Sequence, residues 1–195
     1  MALPASFYDR PTLEVAHDLI GKVLVHDTPA GSAAGVIVET EAYIGEDDPA
    51  CHAARGRTPR NVPLYGPPGL AYVYFNYGVH WLVNAVTGNE ALPGAVLIRA
   101  LAPLDGLPLM RARRAARRAS GTSPVDDALC RGPGNLTVAL AIAGAQNRQK
   151  LSGPLRIEDR DLPTPAIAWG PRIGIRVGLD RPWRAYVPGH PAVSR

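Results

Sequence analysis

Cysteine is nearly absent from this chain: only Cys51 and Cys130 occur in 195 residues, and neither stands in a C-x-x-C or Cys/His cluster with metal-ligand spacing. A multi-disulfide scaffold and a cysteine-built zinc site are thereby excluded, while a single Cys51–Cys130 bridge is neither required nor barred. Long apolar runs are also missing. The longest candidate, Leu64 to Val86, is broken by Pro67, Pro68, Asn76, Gly78, His80 and Asn84, which excludes a membrane span. The first residues lack a basic segment followed by an apolar core, so no signal peptide is read and a cytoplasmic location is expected, nucleoid-associated in a prokaryote. There is no G-x-x-x-x-G-K-[ST] phosphate loop and no H-x-E…P-C-x-x-C deaminase signature, so no metal and no cofactor are expected.

What is present is an ordinary globular balance, 46% hydrophobic and 19% charged, long enough for one domain over residues 1–195 with a substantial core. Twenty glycines and twenty prolines foretell short elements and many loops. The net charge is +4, carried by 19 arginines and only Lys22 and Lys150. That balance suits a polyanion, although arginine richness alongside Ala, Pro and Gly is also what a biased genome composition produces.

Along the chain, Leu13–Ile20 has helical spacing, with Thr12 as N-cap and Gly21 as stop. Lys22–His26 reads as a strand and Pro29–Ser32 as a turn. Residues 45–68 form a long loop of the kind that is usually functional. Ala71–Asn76 and Val79–Val86 are strand-like around Tyr77-Gly78, which predicts a hairpin with Tyr77 at its tip. Ala95–Leu101 is a further strand and Leu107–Ala119 a very basic helix. Ser123-Pro124-Val125-Asp126 opens a short helix ending near Gly132, and Leu136–Ala143 is a helix or a buried strand. Arg172–Val177 and Arg184–Val187 read as closing strands.

The informative stretch is Val38-Glu39-Thr40-Glu41-Ala42-Tyr43. Strand alternation puts Ile37, Glu39, Glu41 and Tyr43 on one face and Val36, Val38, Thr40 and Ala42 on the other. Two carboxylates and a ring on one side of an apolar strand are costly to bury without a purpose. Arg99, mid-strand in Val96-Leu97-Ile98-Arg99-Ala100-Leu101, needs a buried acceptor. Placed beside Glu41, it would keep that carboxylate ionised, as a general base must be. Tyr72 and Tyr74 share a face with Asn76 and could belong to the core, whereas a tyrosine at a hairpin tip has little core to join. Arg55, Arg57 and Arg60 around His52, and the arginines from Arg111 to Arg118, could contact phosphate or could be solvated charge.

These motifs together resemble the alkyladenine (3-methyladenine) DNA glycosylase family over nearly the whole chain. The matching blocks are Ala16-His17-Asp18-Leu19-Ile20-Gly21-Lys22-Val23-Leu24, Val38 to Tyr43, Thr58-Pro59-Arg60-Asn61, Gly69 to Gly78, Val96 to Leu101, Gly132-Pro133 and Arg172-Ile173-Gly174. The resemblance implies a mixed α/β domain around a curved, mainly antiparallel sheet, with a protruding DNA-inserting β-hairpin. It implies a monofunctional glycosylase that acts as a monomer on double-stranded DNA containing damaged purines. By the same resemblance Glu41 is the base, and Arg99 and the Ile173 carbonyl hold the attacking water. Tyr43 is one wall of the base pocket, with His52 and Tyr74 as the other. Backbone groups at Ala50 and His52 read the base edge, Asn84 crowds a guanine 2-amino group, and Tyr77 is the wedge. Arg55, Arg57, Thr58 and Arg60 are implied DNA contacts. Asn135 stands where some relatives place a lysine, which removes one phosphate contact.

Two other readings fit parts of the pattern. One is a non-catalytic nucleic-acid module with stacking tyrosines, which has little use for an acidic strand face. The other is a carbohydrate hydrolase with Glu39 and Glu41 as an acid/base pair, although both would lie on the same wall.

Overall fold

The computed structural model describes residues 1–88 and 91–194. The chain is a mixed α/β protein around a curved sheet whose paired strands all run antiparallel. Two short helices, α1 (Ala5–Tyr8) and α2 (Thr12–Asp18), lead into β1 (Val23–Thr28) and β2 (Gly31–Ile44). After the 45–68 loop come β3 (Ala71–Asn76), β4 (His80–Val86) and β5 (Gly94–Asp105), then α3 (Leu107–Ala115) and α4 (Pro133–Leu140). The last strands are β6 (Leu155–Glu158), β7 (Ala168–Gly170) and β8 (Arg184–Tyr186). The main path of the sheet is β3-β4-β5-β2-β1-β6.

Strand β2 organises the molecule. Its first half pairs with β1 from Thr28↔Gly31 to Val23↔Val36, and its second half pairs with β8 from Glu39↔Tyr186 to Glu41↔Arg184. Strand β5 runs along its other edge throughout. Helices α2, α3 and α4 cover one face. There Leu19, Ile37, Ile98, Leu101, Met110, Leu136 and Leu140 form the main core, all essentially buried. Each such side chain contributes about 1.5–3 kcal/mol relative to exposure. The opposite face, bounded by the 45–68 loop and by residues 171–194, is left for polar chemistry.

Most expected elements are present, with corrected edges. Helix α2 begins at Thr12 itself, so Thr12 is not the cap; its hydroxyl meets that of Thr87 at 2.9 Å inside the core. Gly21 supplies the left-handed exit, at φ +86°. Helix α3 stops at Ala115, four residues early, and the chain turns before Gly121. Only a single 3-10 turn, Asp126–Ala128, follows Ser123, whose hydroxyl donates to the Pro124 carbonyl instead of capping a helix. The ambiguous 136–143 segment is helical only as far as Leu140, because Gly132-Pro133 starts α4 upstream, with proline in the first turn where its missing N–H costs nothing, and Ala141 ends it in the left-handed region.

Arg172–Val177 is not a strand: it is an irregular loop, and the closing strand before β8 is β7 instead. Arg172 and Ile173 spend their hydrogen bonds on buried carboxylates and not on a ladder. Strands β6 and β7 are only four and three residues long, although β6 alternates buried Leu155 and Ile157 with half-buried Arg156 and Glu158.

Candidate active site

Two irregularities in the β2–β5 ladder aim the polar side chains. The ladder pairs Ile37↔Leu101, then Glu39↔Ala100, then Thr40↔Ile98, so Val38 on β2 and Arg99 on β5 are each an extra residue. A bulge of this kind re-aims neighbouring side chains. It corrects the simple alternation: Ile37 lies on the helix-covered face with Ala42, not with Glu39. Thr40 is on that face too, donating its hydroxyl proton to the Ala16 carbonyl at 2.8 Å. Val38 packs instead with Ala100 and Ala192. Glu39 and Glu41 do share a face, together with Arg99.

Glu41 is fully buried. Its Oε1 accepts from the Ile173 backbone N–H at 2.7 Å and lies 3.2 Å from Arg99 Nη1. Its Oε2 accepts from the Tyr43 hydroxyl at 2.8 Å. Arg99 Nη1 also donates to the Ile173 carbonyl at 3.4 Å. Burial pushes the Glu41 carboxyl above its ordinary value, while Arg99, the Ile173 N–H and the Tyr43 hydroxyl pull the other way and Glu39 adds a small upward push. Sequence reasoning joined Glu41 to Arg99 correctly; the dual contact of Ile173, through both N–H and C=O, depends on the loop conformation.

Above this cluster opens a cavity of about 460 Å³. Tyr43, His52, Tyr72, Tyr74, Asn76, Asn84, Leu97, Arg99 and Ile173 are among the residues that line it, and Tyr77 and Asn135 stand at it as well. The ring of His52 meets that of Tyr74 edge-on at 4.5 Å, and its Nδ1 is 2.8 Å from the Tyr72 hydroxyl. One side of His52 is open to solvent. Packing around the imidazole, then the charge of Arg60, still hold its pKa below the usual value, which favours the neutral ring. Asn84 is buried opposite Tyr72 and donates its amide to the Tyr72 carbonyl at 3.0 Å. Gly134, in the first turn of α4, seats against the His80 ring: a Cβ there would come 2.6 Å from His80 Cγ.

Tyr77 is 86% exposed at the tip of the β3–β4 hairpin. The turn is closed by the Val79 N–H to the Asn76 carbonyl at 3.0 Å, with φ of +50° at Tyr77 and +68° at Gly78. Positive φ is uncommon for an aromatic residue and carries strain.

The 45–68 loop is ordered by its own polar groups. Asn61, nearly inaccessible, donates to the carbonyls of His52 and Gly56, both at 2.8 Å, and accepts from the Thr58 N–H at 2.6 Å. Thr58 thus serves the loop itself. Ala50 donates its N–H to Asp48 Oδ1 at 3.2 Å. Asp48 forms a fully buried bidentate pair with Arg172, at 2.6 and 2.8 Å, and Arg172 also donates to the Ala42 carbonyl and stacks 4.7 Å from the Tyr43 ring. This pair joins the loop that bears Ala50 and His52 to the loop that bears Ile173. Asp48 escaped the sequence reading; the Asp-Pro-Ala order, which suits a side-chain-closed turn, was its available signal.

The basic residues divide. Arg55 is exposed. Arg57 lies 5.5 Å over the Tyr65 ring, while Arg60 donates to the Phe75 carbonyl at 3.0 Å and lies 5.4 Å over Tyr74. In α3, Arg111 pairs with Asp126, Arg113 caps the Ala139 carbonyl, and Arg114 donates to Asn135 Oδ1. Asn135 is thus the seat of a guanidinium at the cavity edge. Both Glu39 oxygens accept hydrogen bonds, from Arg184 at 2.9 Å and from the Ser194 N–H at 2.9 Å and hydroxyl at 2.6 Å, and Glu39 lies on the same wall as Glu41. Cys51 and Cys130 are separate, buried thiols.

Among the described residues no cluster of His, Cys, Asp and Glu is arranged to hold a metal ion, and no helix is long and apolar enough to cross a membrane. The family profile described as "Methylpurine-DNA glycosylase (MPG)" matches residues 6–191. A Burkholderia lata protein named "Putative 3-methyladenine DNA glycosylase" is 48% identical over 98% of this chain and 90% of its own length. Proteins of the same name from Methanocella arvoryzae and Chlorobaculum tepidum are 47% and 43% identical, each over 99% of this chain, covering 96% and 90% of their own lengths. A profile match across almost the whole chain, with relatives this close, leaves one assignment: the chain belongs to the methylpurine-DNA glycosylase family of DNA-repair enzymes, hydrolases of N-glycosyl bonds.

Proposed function

We propose that this chain excises alkylated or deaminated purines from duplex DNA, 3-methyladenine and 7-methylguanine foremost, with hypoxanthine and ethenoadenine as further candidates. A water activated by Glu41 is the nucleophile. The observation that carries the reading is the buried Glu41–Arg99–Ile173 cluster beneath an aromatic cavity.

A duplex hides the bond to be cut, so the nucleotide must leave the stack at a cost of a few kcal/mol. Tyr77, exposed at the hairpin tip, fills the gap on the DNA side. In the cavity the base lies between Tyr43 and the His52–Tyr74 wall; stacking on aromatic faces contributes about 1–3 kcal/mol per base. Backbone groups at Ala50 and His52 read its edge, and Asn84 stands where it crowds a guanine 2-amino group. Neutral His52 adds no repulsion to a cationic alkylated ring, which the aromatic faces also attract.

Glu41 takes one proton from a water held by Arg99 and the Ile173 carbonyl. The water oxygen bonds to the sugar C1′ as the C1′–N bond breaks, and its electron pair passes to the purine. An alkylated cationic purine leaves neutral, so for it one carboxylate and one water suffice; a neutral purine such as hypoxanthine takes the bond's electron pair as an anion and then a proton from solvent. Lys22 pairs with Asp159, the N-terminal amine donates to the Asp159 carbonyl, and neither they nor Lys150 line the cavity, so water is the nucleophile in this reading.

Glu41→Gln is the test, in single-turnover excision from a duplex carrying one 3-methyladenine or hypoxanthine. Excision falls about 10²–10⁴-fold while lesion-duplex affinity stays near wild type. The wild-type product strand remains intact until treated with alkali. A Glu41→Gln enzyme at wild-type rate, or a strand cut without alkali, refutes the reading.

A further inference from the structure

Arg99 is held from behind by a segment that the family motifs do not include. Residues 187–194 fold back across the bulged part of β2 and β5. Val187 N–H donates to the Val38 carbonyl at 3.0 Å, Ala192 is fully buried against Val38 and Ala100, and Val193 N–H closes a turn on the His190 carbonyl at 3.1 Å. This delivers Ser194 to the edge of the Arg99 guanidinium. The Ser194 hydroxyl is 2.6 Å from Glu39 Oε2, 3.3 Å from Arg99 Nε and 3.2 Å from Arg99 Nη2.

A hydroxyl has one proton to give and two lone pairs to receive. Here the proton goes to a carboxylate that can only accept, and the two guanidinium nitrogens can only donate. The roles are therefore forced: Ser194 donates to Glu39 and accepts from Arg99. Glu39 adds a direct ion-pair contact to Arg99 Nε at 3.4 Å. Its other partner, Arg184, donates from Nε to the Pro171 carbonyl at 2.8 Å, two residues before Ile173. With Nε and Nη2 held on this side, Nη1 alone points to Glu41 and the Ile173 carbonyl.

We propose that Ser194 and Glu39 are positioning residues that lock the Arg99 guanidinium so that Nη1 faces the attacking water. This rests on the proposed role of Glu41 and Arg99, and it adds to the reaction two residues that never touch the substrate. Ser194 is half-buried, and Ala192 anchors the segment independently of the Ser194 hydroxyl.

The experiment compares Ser194→Ala with Ser194→Thr in the full chain. Losing the hydroxyl lowers the single-turnover excision rate roughly three- to tenfold, the equivalent of one hydrogen bond, and threonine restores it to within about twofold. Affinity for the lesion duplex stays at wild type in both, and the melting temperature falls by only a few degrees in Ser194→Ala, roughly 2–4 °C per kcal/mol of lost hydrogen bonding. The Arg99 Nε–H resonance, slow to exchange with water in the wild type, exchanges rapidly in Ser194→Ala and slowly in Ser194→Thr. A Ser194→Ala enzyme at wild-type rate overturns the proposal, as does equal loss in both variants. The resonance is read without substrate. An unchanged Arg99 signal in Ser194→Ala thus overturns the lock whatever the activity, while a wild-type chain that excises nothing overturns the proposed function instead.

Discussion

Asp48→Asn removes one charge from the buried pair that ties the two substrate-facing loops together, with almost no change in shape. Both partners are wholly buried in the wild type, joined at 2.6 and 2.8 Å. Removing one partner of such a pair costs about 3–5 kcal/mol, because the survivor is left charged in a dry site. The lower end applies here. Arg172 keeps the Ala42 carbonyl at 3.1 Å and two aromatic faces, Tyr43 at 4.7 Å and Trp183 at 5.2 Å, and asparagine still offers one acceptor. For a chain of this size about 3 kcal/mol corresponds to a fall in Tm of roughly 6–12 °C, read by thermal or urea denaturation. In the double variant Asp48→Asn/Arg172→Met neither charge is left alone, so stability recovers by about 2 kcal/mol relative to the summed singles. Excision does not recover with it, because Arg172 precedes Ile173 and no longer anchors the loop that meets Glu41. A Tm loss under about 2 °C, or singles that add to within about 0.5 kcal/mol, would refute the reasoning.

Three further outcomes are expected. Because burial raises the Glu41 carboxyl above the ordinary carboxylate value, the base form is lost as pH falls through that raised pKa. The acid limb of the single-turnover rate therefore lies above pH ~4.5 and persists in His52→Gln; a rate flat down to the ordinary glutamate range contradicts the Glu41 environment. Tyr77→Ala leaves Tm within about 2 °C, since the side chain is exposed, yet weakens the fluorescence change of a base analogue that reports extrusion; an unaltered flipping equilibrium removes Tyr77 from the path. Arg55→Gln reduces the slope of log affinity against log salt by about 0.9, one phosphate's worth, whereas Arg60→Gln leaves the slope nearly unchanged, because that guanidinium is engaged with Phe75 and Tyr74. Equal slopes for Arg55→Gln and wild type would remove Arg55 from the DNA surface.

The residues that local physics constrains were legible in the sequence. Strand alternation put Glu39 and Glu41 on one face, the cost of burying charge asked for Arg99 beside Glu41, and Tyr77-Gly78 marked a hairpin turn that the backbone realises with two positive φ values. The shared face of Tyr72, Tyr74 and Asn76 follows from period-two geometry, and the structure sets all three at the cavity. Tertiary structure alone decided the rest. The bulges at Val38 and Arg99 turn Ile37 to the other face, yet a bulge is a property of two strands in register and not of either sequence. Arg172 and Asp48 lie 124 positions apart, and Ser194 and Glu39 lie 155 apart; no periodicity connects residues so distant. Arg60 read as a phosphate contact or a solvated charge, and its donation to the Phe75 carbonyl was not legible, because which carbonyl an arginine meets depends on which loop folds over it. A sequence states which groups must find partners when buried; the path of the chain in three dimensions decides which partners they find.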